Sequence, residues 1–280
     1  MVAPAVVALL LVTAFPLVYN VWNSLHAENL LNPVNMGGWT GFANYSRIFT
    51  DATFLPSLLR TFGFTAVSVV LELVVGLVMA LVLNRPFAGR GLVRAAIFIP
   101  WAVPTVVSAT IWKTMFDSRS GFVDYLLGVL HLPGAHTVWL SGTWTAWTSV
   151  LVADAWKNVP FVTILLLAGL QVIPNDLYEA ARVDGTSAWQ AFRWITLPML
   201  RPALMVTLVF RTLQAFLIFD VIYIMTSGGP GDSTETVSFL DWKAFMVDSD
   251  FGYGGAVSVV MVVIALLIAA IYARTIRQET

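Results

Sequence analysis

Six long apolar stretches separated by polar runs dominate the chain. They extend from Val2 to Leu25, Leu58 to Leu83, Ala95 to Phe116, Thr145 to Leu170, Pro202 to Met225 and Tyr253 to Ala273. About 20 mostly apolar residues in a helix cross a hydrocarbon layer about 30 Å thick, and each stretch reaches that length without the alternation of a half-buried strand. Peptide groups in lipid find no water to bond, so a crossing segment must satisfy its own N–H and C=O groups, as a helix does. The pattern therefore predicts an all-α, polytopic membrane fold, a single transmembrane domain over 1–280 with six transmembrane helices. The first stretch lacks a basic leader, and no small-x-small cleavage pattern follows it before the polar run Asn23, Ser24, His26, Glu28, Asn29. It reads as a permanent span rather than a signal peptide.

Composition removes other classes. Hydrophobic residues make up 58% of the 280 and charged residues 11%, against about 25% charged in an average soluble domain. That leaves too few polar side chains to cover a globule in water. The 15 basic and 16 acidic residues give a formal net charge of -1, which offers no surface for nucleic acid. With Cys at 0 there are no disulfides, zinc thiolates, iron–sulfur ligands or cysteine nucleophiles.

Loop charge orients the spans, because Lys and Arg are retained on the cytoplasmic side. With both termini on one side, the loops at 84–94 and 171–201 and the tail carry Arg85, Arg90, Arg94, Arg182, Arg193, Arg201, Arg274 and Arg277. The opposite loops, longer in total, carry Arg47, Arg119 and Lys243, with Arg60 and Lys113 at flanking helix ends. Both termini are accordingly expected in the cytoplasm.

No chemical engine is visible. A phosphate-binding loop needs Gly-x-x-x-x-Gly-Lys-Ser/Thr so that backbone amides and the lysine reach phosphate, yet Lys113, Lys157 and Lys243 each follow a tryptophan. His26, His131 and His136 lie in or beside outer loops without metal-ligand spacing, and neither His-Glu-x-x-His nor Gly-x-Ser-x-Gly occurs. The chain is expected to be no enzyme and to hold no metal.

The loop at 171–201 is long and not of low complexity. Pro174-Asn175-Asp176 offers a helix start, Glu179-Ala180-Ala181-Arg182 favours helix, and Gly185 before Thr186-Ser187 reads as a stop and a new N-cap. A second short helix is predicted from Ala188 to Ile195, ended by Leu197-Pro198. Two readings stand on the residues alone. One is a rigid elbow hinged at Gly185, and the other is an amphipathic connector lying on the membrane through Trp189, Phe192 and Trp194.

Glu179, Ala180, Ala181, Asp184, Gly185, Ile195, Leu197, Pro198 and Pro202 place a glycine six residues after the glutamate and Ile-x-Leu-Pro ten residues further on. Together they resemble the coupling motif of permeases of binding-protein-dependent ABC importers. Phe42-Ala43-Asn44-Tyr45, the run from Phe98 to Pro104 and the run from Phe219 to Gly231 are similar to the sugar-importer branch, the maltose-type permeases. The resemblance covers nearly the whole chain. It implies a permease subunit of an ATP-driven importer of a di- or oligosaccharide in the bacterial inner membrane, paired with a second homologous permease to form the path. It also implies a dimeric ATPase that binds ATP and magnesium and receives the elbow in a groove, an external sugar-binding protein, and no cofactor on this chain. In that role Glu179 contacts the ATPase by charge-assisted hydrogen bonding and Gly185 permits the sharp turn. The competing reading of Glu179 is a solvated carboxylate near a helix start.

Polar groups inside the spans are candidates for the path, since burying them in lipid is costly. Asp154 and Lys157, three apart, share a helix face beside Asn158, so a mutual ion pair and contact with sugar are both open. Pro100 and Pro104 flank Trp101 and predict a bend where a path opens, with Trp101 stacking on sugar or packing on lipid or a neighbour. Gln214 and Asp220 complete the set. Arg211 and Asp220, nine apart, point to opposite faces, and Glu72 faces the bundle toward a partner the sequence leaves unnamed.

The outer loop at 226–255 must turn at Ser227-Gly228-Gly229-Pro230-Gly231. Beyond it, Phe239, Leu240, Trp242, Ala244, Phe245 and Met246 beside Asp241, Lys243 and Asp248 predict an amphipathic segment on the outer rim. It either docks the binding protein through Asp241, Trp242 and Asp248 or rests on lipid headgroups. A secondary active transporter of a small polar solute is the alternative function. It predicts inverted repeats, and none is visible between the halves.

Overall fold

The computed structural model describes the backbone of residues 3–32 and 36–277, and the side chains of residue 10 and of 12–32 and 36–275. Its helices in chain order are α1 (Ala3–Ser24), α2 (Ala43–Thr50), α3 (Phe54–Asn84), α4 (Arg90–Ala102), α5 (Thr105–Met115), α6 (Phe122–Val129) and α7 (Thr143–Gln171). They continue with α8 (Asn175–Val183), α9 (Ala188–Ala191), a π-helical turn (Phe192–Thr196), α10 (Leu197–Phe216), α11 (Asp220–Met225), α12 (Val237–Met246) and α13 (Phe251–Arg277). Among the described residues the fold is all-α.

Among the described residues four segments are long and apolar enough to cross a membrane: Phe54–Asn84, Thr143–Gln171, Ala188–Met225 and Phe251–Thr275. The pair α4 and α5, bent by 94°, makes a fifth if counted as one span. The first expected span is helical over Ala3–Ser24, and Val2 lies outside the described residues.

Two expected spans are not continuous rods. The third breaks at Val103, which is extended (φ -71, ψ 131), because the ring of Pro104 disfavours helical backbone in the residue before it. Pro100 stays inside α4. The fifth begins earlier than expected, at Leu197, and is interrupted between Phe216 and Asp220, where Phe219 leaves the helical region (φ -136, ψ -60).

The chain forms two compact units, Met1–Thr61 with Glu235–Ile268, and Phe62–Thr234 with Ala269–Thr280. In the second unit Ala80 and Leu83 of α3, Val162, Leu166 and Leu170 of α7 and Leu200 of α10 form one buried cluster. Small residues let these helices approach, as lipid-immersed helices require when no hydrophobic force drives them together. A Cβ on Gly76 would stand 2.6 Å from Val162 Cγ1, and one on Gly169 would stand 2.5 Å from Ala203 Cβ. α11 packs on α5, and Lys113 Nζ donates to the Ile224 carbonyl at 2.8 Å.

In the first unit Ile48 of α2, Val237 and Leu240 of α12 and Val257 of α13 share a core with Phe54 and Tyr253. Asn44 Nδ2 donates to the carbonyls of Ser24 (2.9 Å) and His26 (3.0 Å), and Tyr45 OH meets Ser24 Oγ at 2.8 Å. The Phe42-Ala43-Asn44-Tyr45 motif thus ties α2 to the end of α1. The segment expected on the outer rim differs: it packs into the core of this unit. Val237, Phe239, Leu240 and Ala244 of α12 are buried, so its apolar side is core.

Candidate functional site

The elbow forms where glycine and serine punctuate the loop. α8 ends before Gly185, whose φ of +74 lies in the left-handed region that glycine alone enters freely. Ser187 then opens α9 with a capping box: its Oγ accepts the Gln190 N–H at 3.3 Å, and Gln190 Oε1 accepts the Ser187 N–H at 2.8 Å. Both features stand where the sequence places them. Leu197-Pro198 does not end the second arm. The Leu197 N–H reaches back five residues to the Phe192 carbonyl, and this π turn carries the chain into α10 with Pro198 in its first turn.

The motif residues divide between anchoring and display. Ala181 is buried, and Tyr178 and Ile195 pack on the Leu83–Leu170–Leu200 cluster. Tyr178 OH meets Thr196 Oγ1 at 2.9 Å, which closes one arm on the other. Glu179, Ala180, Asp184, Gly185, Leu197 and Pro198 are exposed. Trp189 stacks on Phe192 with ring centroids 5.5 Å apart, and Arg193 lies over Trp194.

Deeper in the same unit lies a polar network that crosses three helices. Glu72 of α3 is wholly buried and grips Arg211 of α10 with both oxygens, Oε2 on Nε and Oε1 on Nη2, the latter at 2.8 Å. The same Nη2 reaches Asp154 Oδ2 of α7 at 3.3 Å, while Nη1 donates to Gln214 Oε1 at 3.0 Å. Asn158 Nδ2 donates to Asp154 Oδ1 at 2.8 Å and to the Asp154 carbonyl at 3.0 Å.

Asp154 and Lys157 do not pair. Arg211 takes Asp154, because a planar guanidinium with five donors serves two carboxylates at once. Lys157 Nζ turns to the α4–α5 break and donates to the Val103 carbonyl and, at 3.4 Å, to that of Trp101. A broken helix leaves carbonyls without helical donors, and a compact ammonium supplies three. The partner the sequence leaves unnamed for Glu72 is Arg211; the signal available was a glutamate and an arginine each deep in an apolar span.

Burial grades along this network. Arg211 is 2% exposed and Asp154 7%, Lys157 and Asn158 are half-buried, and Gln214 is exposed. Trp101 is exposed and stacks on Phe161 at 5.9 Å. Asp220 is exposed at the start of α11, within electrostatic reach of Lys157.

In the loop after α11, Ser227, Gly228 and Gly231 adopt positive φ, and Thr234 Oγ1 donates to the Gly229 carbonyl at 2.7 Å. In the first unit Asp241, expected on an exposed rim, turns toward α13 and accepts the Ser258 hydroxyl on both oxygens at 2.9 and 3.0 Å. Burial pushes its carboxyl up to about 6, against the Ser258 hydrogen bond. Asp248 is exposed and Trp242 half-buried beside Phe239. Glu235, absent from the candidates, is buried between Ser57 Oγ (3.2 Å) and Lys243 Nζ (3.3 Å).

Comparison with known proteins agrees along the chain's length. The trehalose/maltose transport system permease protein MalF of Thermococcus litoralis is 40% identical over 272 residues, covering 97% of this chain and 90% of that relative. The trehalose transport system permease protein SugA of Mycobacterium tuberculosis is 40% identical over 272 residues, 97% of this chain and 86% of SugA. The diacetylchitobiose uptake system permease protein DasB of Streptomyces coelicolor is 33% identical over 282 residues, 99% of this chain and 85% of DasB. A solved bacterial ABC transporter involved in the import of the acidic polysaccharide alginate contains a chain that superposes with a TM-score of 0.86. That pair is 21% identical and covers 100% of this chain and 94% of the other, a likeness of fold. The model of the family described as binding-protein-dependent transport system inner membrane component matches residues 72–278, and the chain belongs to that family as a multi-pass permease subunit whose ATPase is a separate subunit.

Proposed function

We propose that the chain forms half of a sugar path, completed by a second homologous permease, with six spans and both termini in the cytoplasm. The cargo is a di- or oligosaccharide. The relatives named for trehalose, maltose and diacetylchitobiose support that class. The accessible end of the polar network supports it too. Arginine has only donors and an ionised carboxylate only acceptors. Gln214 must therefore give its carbonyl to Arg211 and present its Nε2 amide, while Asn158 gives its amide to Asp154 and presents its Oδ1. A sugar hydroxyl both donates and accepts, and suits such a pair. Trp101, Lys157 and Asp220 join them along the path, with Asp154 behind.

The elbow carries the coupling reading: a two-armed, hydrogen-bonded projection anchored on the bundle core, with Glu179 exposed on its first arm and Asp184 exposed at its bend. A dimeric ATPase, which binds ATP and magnesium, receives it through Glu179, Ala180, Asp184, Gly185, Leu197 and Pro198, with Ala181 and Ile195 as the anchor. ATPase closure then rocks the bundle as a rigid body. An external sugar-binding protein docks on the loop at 226–255 through Trp242 and Asp248. The test is uptake of labelled maltose and trehalose into proteoliposomes holding the complete complex. Uptake is expected only with ATP on the ATPase side and loaded binding protein on the other. Uptake by this chain alone would overturn the reading.

A further inference from the structure

We propose that Glu72 is a positioning residue for cargo: it fixes Arg211 and, through Arg211, sets which atoms Gln214 and Asn158 present to the path. The inference rests on the sugar-path reading above and goes beyond it by assigning a role to a residue that no cargo can touch.

Glu72 is 0% exposed and spends both carboxylate oxygens on Arg211. Two of the guanidinium's three nitrogens are thereby pinned in one plane. The third, Nη1, is left aimed at Gln214 Oε1, and Nη2 is shared with Asp154 Oδ2. The orientation of the exposed Gln214 amide follows, because nitrogen-on-nitrogen contact with a guanidinium is repulsive and only the carbonyl oxygen can face Nη1. Asp154, with one oxygen on Arg211, keeps the other for Asn158 Nδ2, which turns the Asn158 carbonyl outward.

Removing the Glu72 fork changes this at a distance. A long guanidinium side chain held by Asp154 alone swings toward it, and Gln214 loses the donor that orders its amide. A carboxamide rotated by half a turn presents an acceptor where a donor stood.

The test uses the complete reconstituted complex and the labelled sugar, maltose or trehalose, that the wild type carries. Sugar uptake and ATP hydrolysis are both measured at saturating loaded binding protein. A wild type that carries neither sugar refutes the cargo reading and this inference with it. Given a carried sugar, Glu72→Gln is expected to lower uptake about tenfold, the size of one misdirected hydrogen bond, while ATP hydrolysis changes less than twofold. Fewer sugars then move per ATP. Gln214→Ala alone lowers uptake by a similar factor, and the double variant lowers it no further than either single. Glu72→Asp, which keeps the charge but withdraws it by one methylene, shows the same loss of sugar per ATP and decides the matter if Glu72→Gln does not assemble. Unchanged sugar per ATP in the assembled variants, or additive losses for Glu72 and Gln214, would overturn the inference and leave Glu72 as a structural ion-pair partner.

Discussion

Tyr178 and Thr196, 18 residues apart, meet hydroxyl to hydroxyl at 2.9 Å and brace the two arms of the elbow against each other. The brace lies behind the bend at Gly185, so the bend can transmit a push only if its own backbone holds. Nothing stands within 4 Å of a Cβ at Gly185, yet its φ is +74. The cost of substitution there is backbone strain, not collision. Gly185→Val is expected to lower ATP hydrolysis stimulated by loaded binding protein by about tenfold or more, because a β-branched residue is an outlier at that φ. Gly185→Asn, which tolerates the left-handed region, should retain most of it. Glu179→Ala should abolish stimulation while the chain still inserts. Equal activity of the Val and Asn variants would count against the hinge.

The charge network makes a second prediction that reverses the sequence-based pairing. Thermal inactivation of variants should show strong coupling between Glu72 and Arg211 and only weak coupling of Asp154 with Lys157. Removing either member of a buried pair strands a charge and costs about 3–5 kcal/mol. Removing both Glu72 and Arg211 by neutral isosteres should recover only part of that loss, because Asp154 then loses its cation. A double-mutant cycle with Asp154 and Lys157 strongly coupled would contradict the observed geometry.

These residues also mark where the sequence was legible. The long helices of the second, fourth and sixth apolar stretches follow from apolar length alone, and the elbow's hinge and N-cap follow from Gly185 and Ser187, whose local chemistry admits few alternatives. Pro104 announced the break in the third span for the same reason. The pairing of Asp154 was not legible, because its partner comes from another helix 57 residues away and neighbours on the same helix face look equally suitable. The burial of Asp241 was hidden likewise. A polar residue in an amphipathic segment reads as solvent-facing until the helix that covers it, here α13 with Ser258, is known. The π turn at Phe192–Thr196 has no composition signal, so Pro198 read as a terminus.

Asp241 predicts a pH dependence. Its carboxyl is raised by burial from 3.8 to about 6. A raised acid contributes its full stability below the unfolded value, and that contribution is lost as pH rises from about 4 through about 6. Above that window the folded state holds a buried carboxylate that costs up to about 3 kcal/mol. Asp241→Asn keeps hydrogen-bonding groups for Ser258 without the charge. It should raise the thermal inactivation midpoint of the complex at pH 7.5 and leave it unchanged near pH 4. A stabilisation of equal size at both values would mean that the titration is not the cause.

Helix approach gives the last prediction. Gly169 of α7 faces Ala203 of α10 so closely that an added Cβ would lie 2.5 Å from Ala203 Cβ and 2.9 Å from Leu200 Cδ1. Neither Cβ can rotate away from its backbone, so Gly169→Ala forces the two helices apart and should destabilise by about 1–3 kcal/mol. Gly63 of α3 has nothing within 4 Å of its missing Cβ, so Gly63→Ala should be neutral or stabilise by up to about 1 kcal/mol through helix propensity. The discriminating variant is Gly169→Ala combined with Ala203→Gly, which moves the methyl group from one helix to the other and restores the separation. Recovery of the thermal midpoint in that double variant, with Gly63→Ala unaffected, locates the constraint in the α7–α10 seam. Failure to recover would place the cost of Gly169→Ala in the Leu200 contact of the same seam rather than in the Ala203 contact.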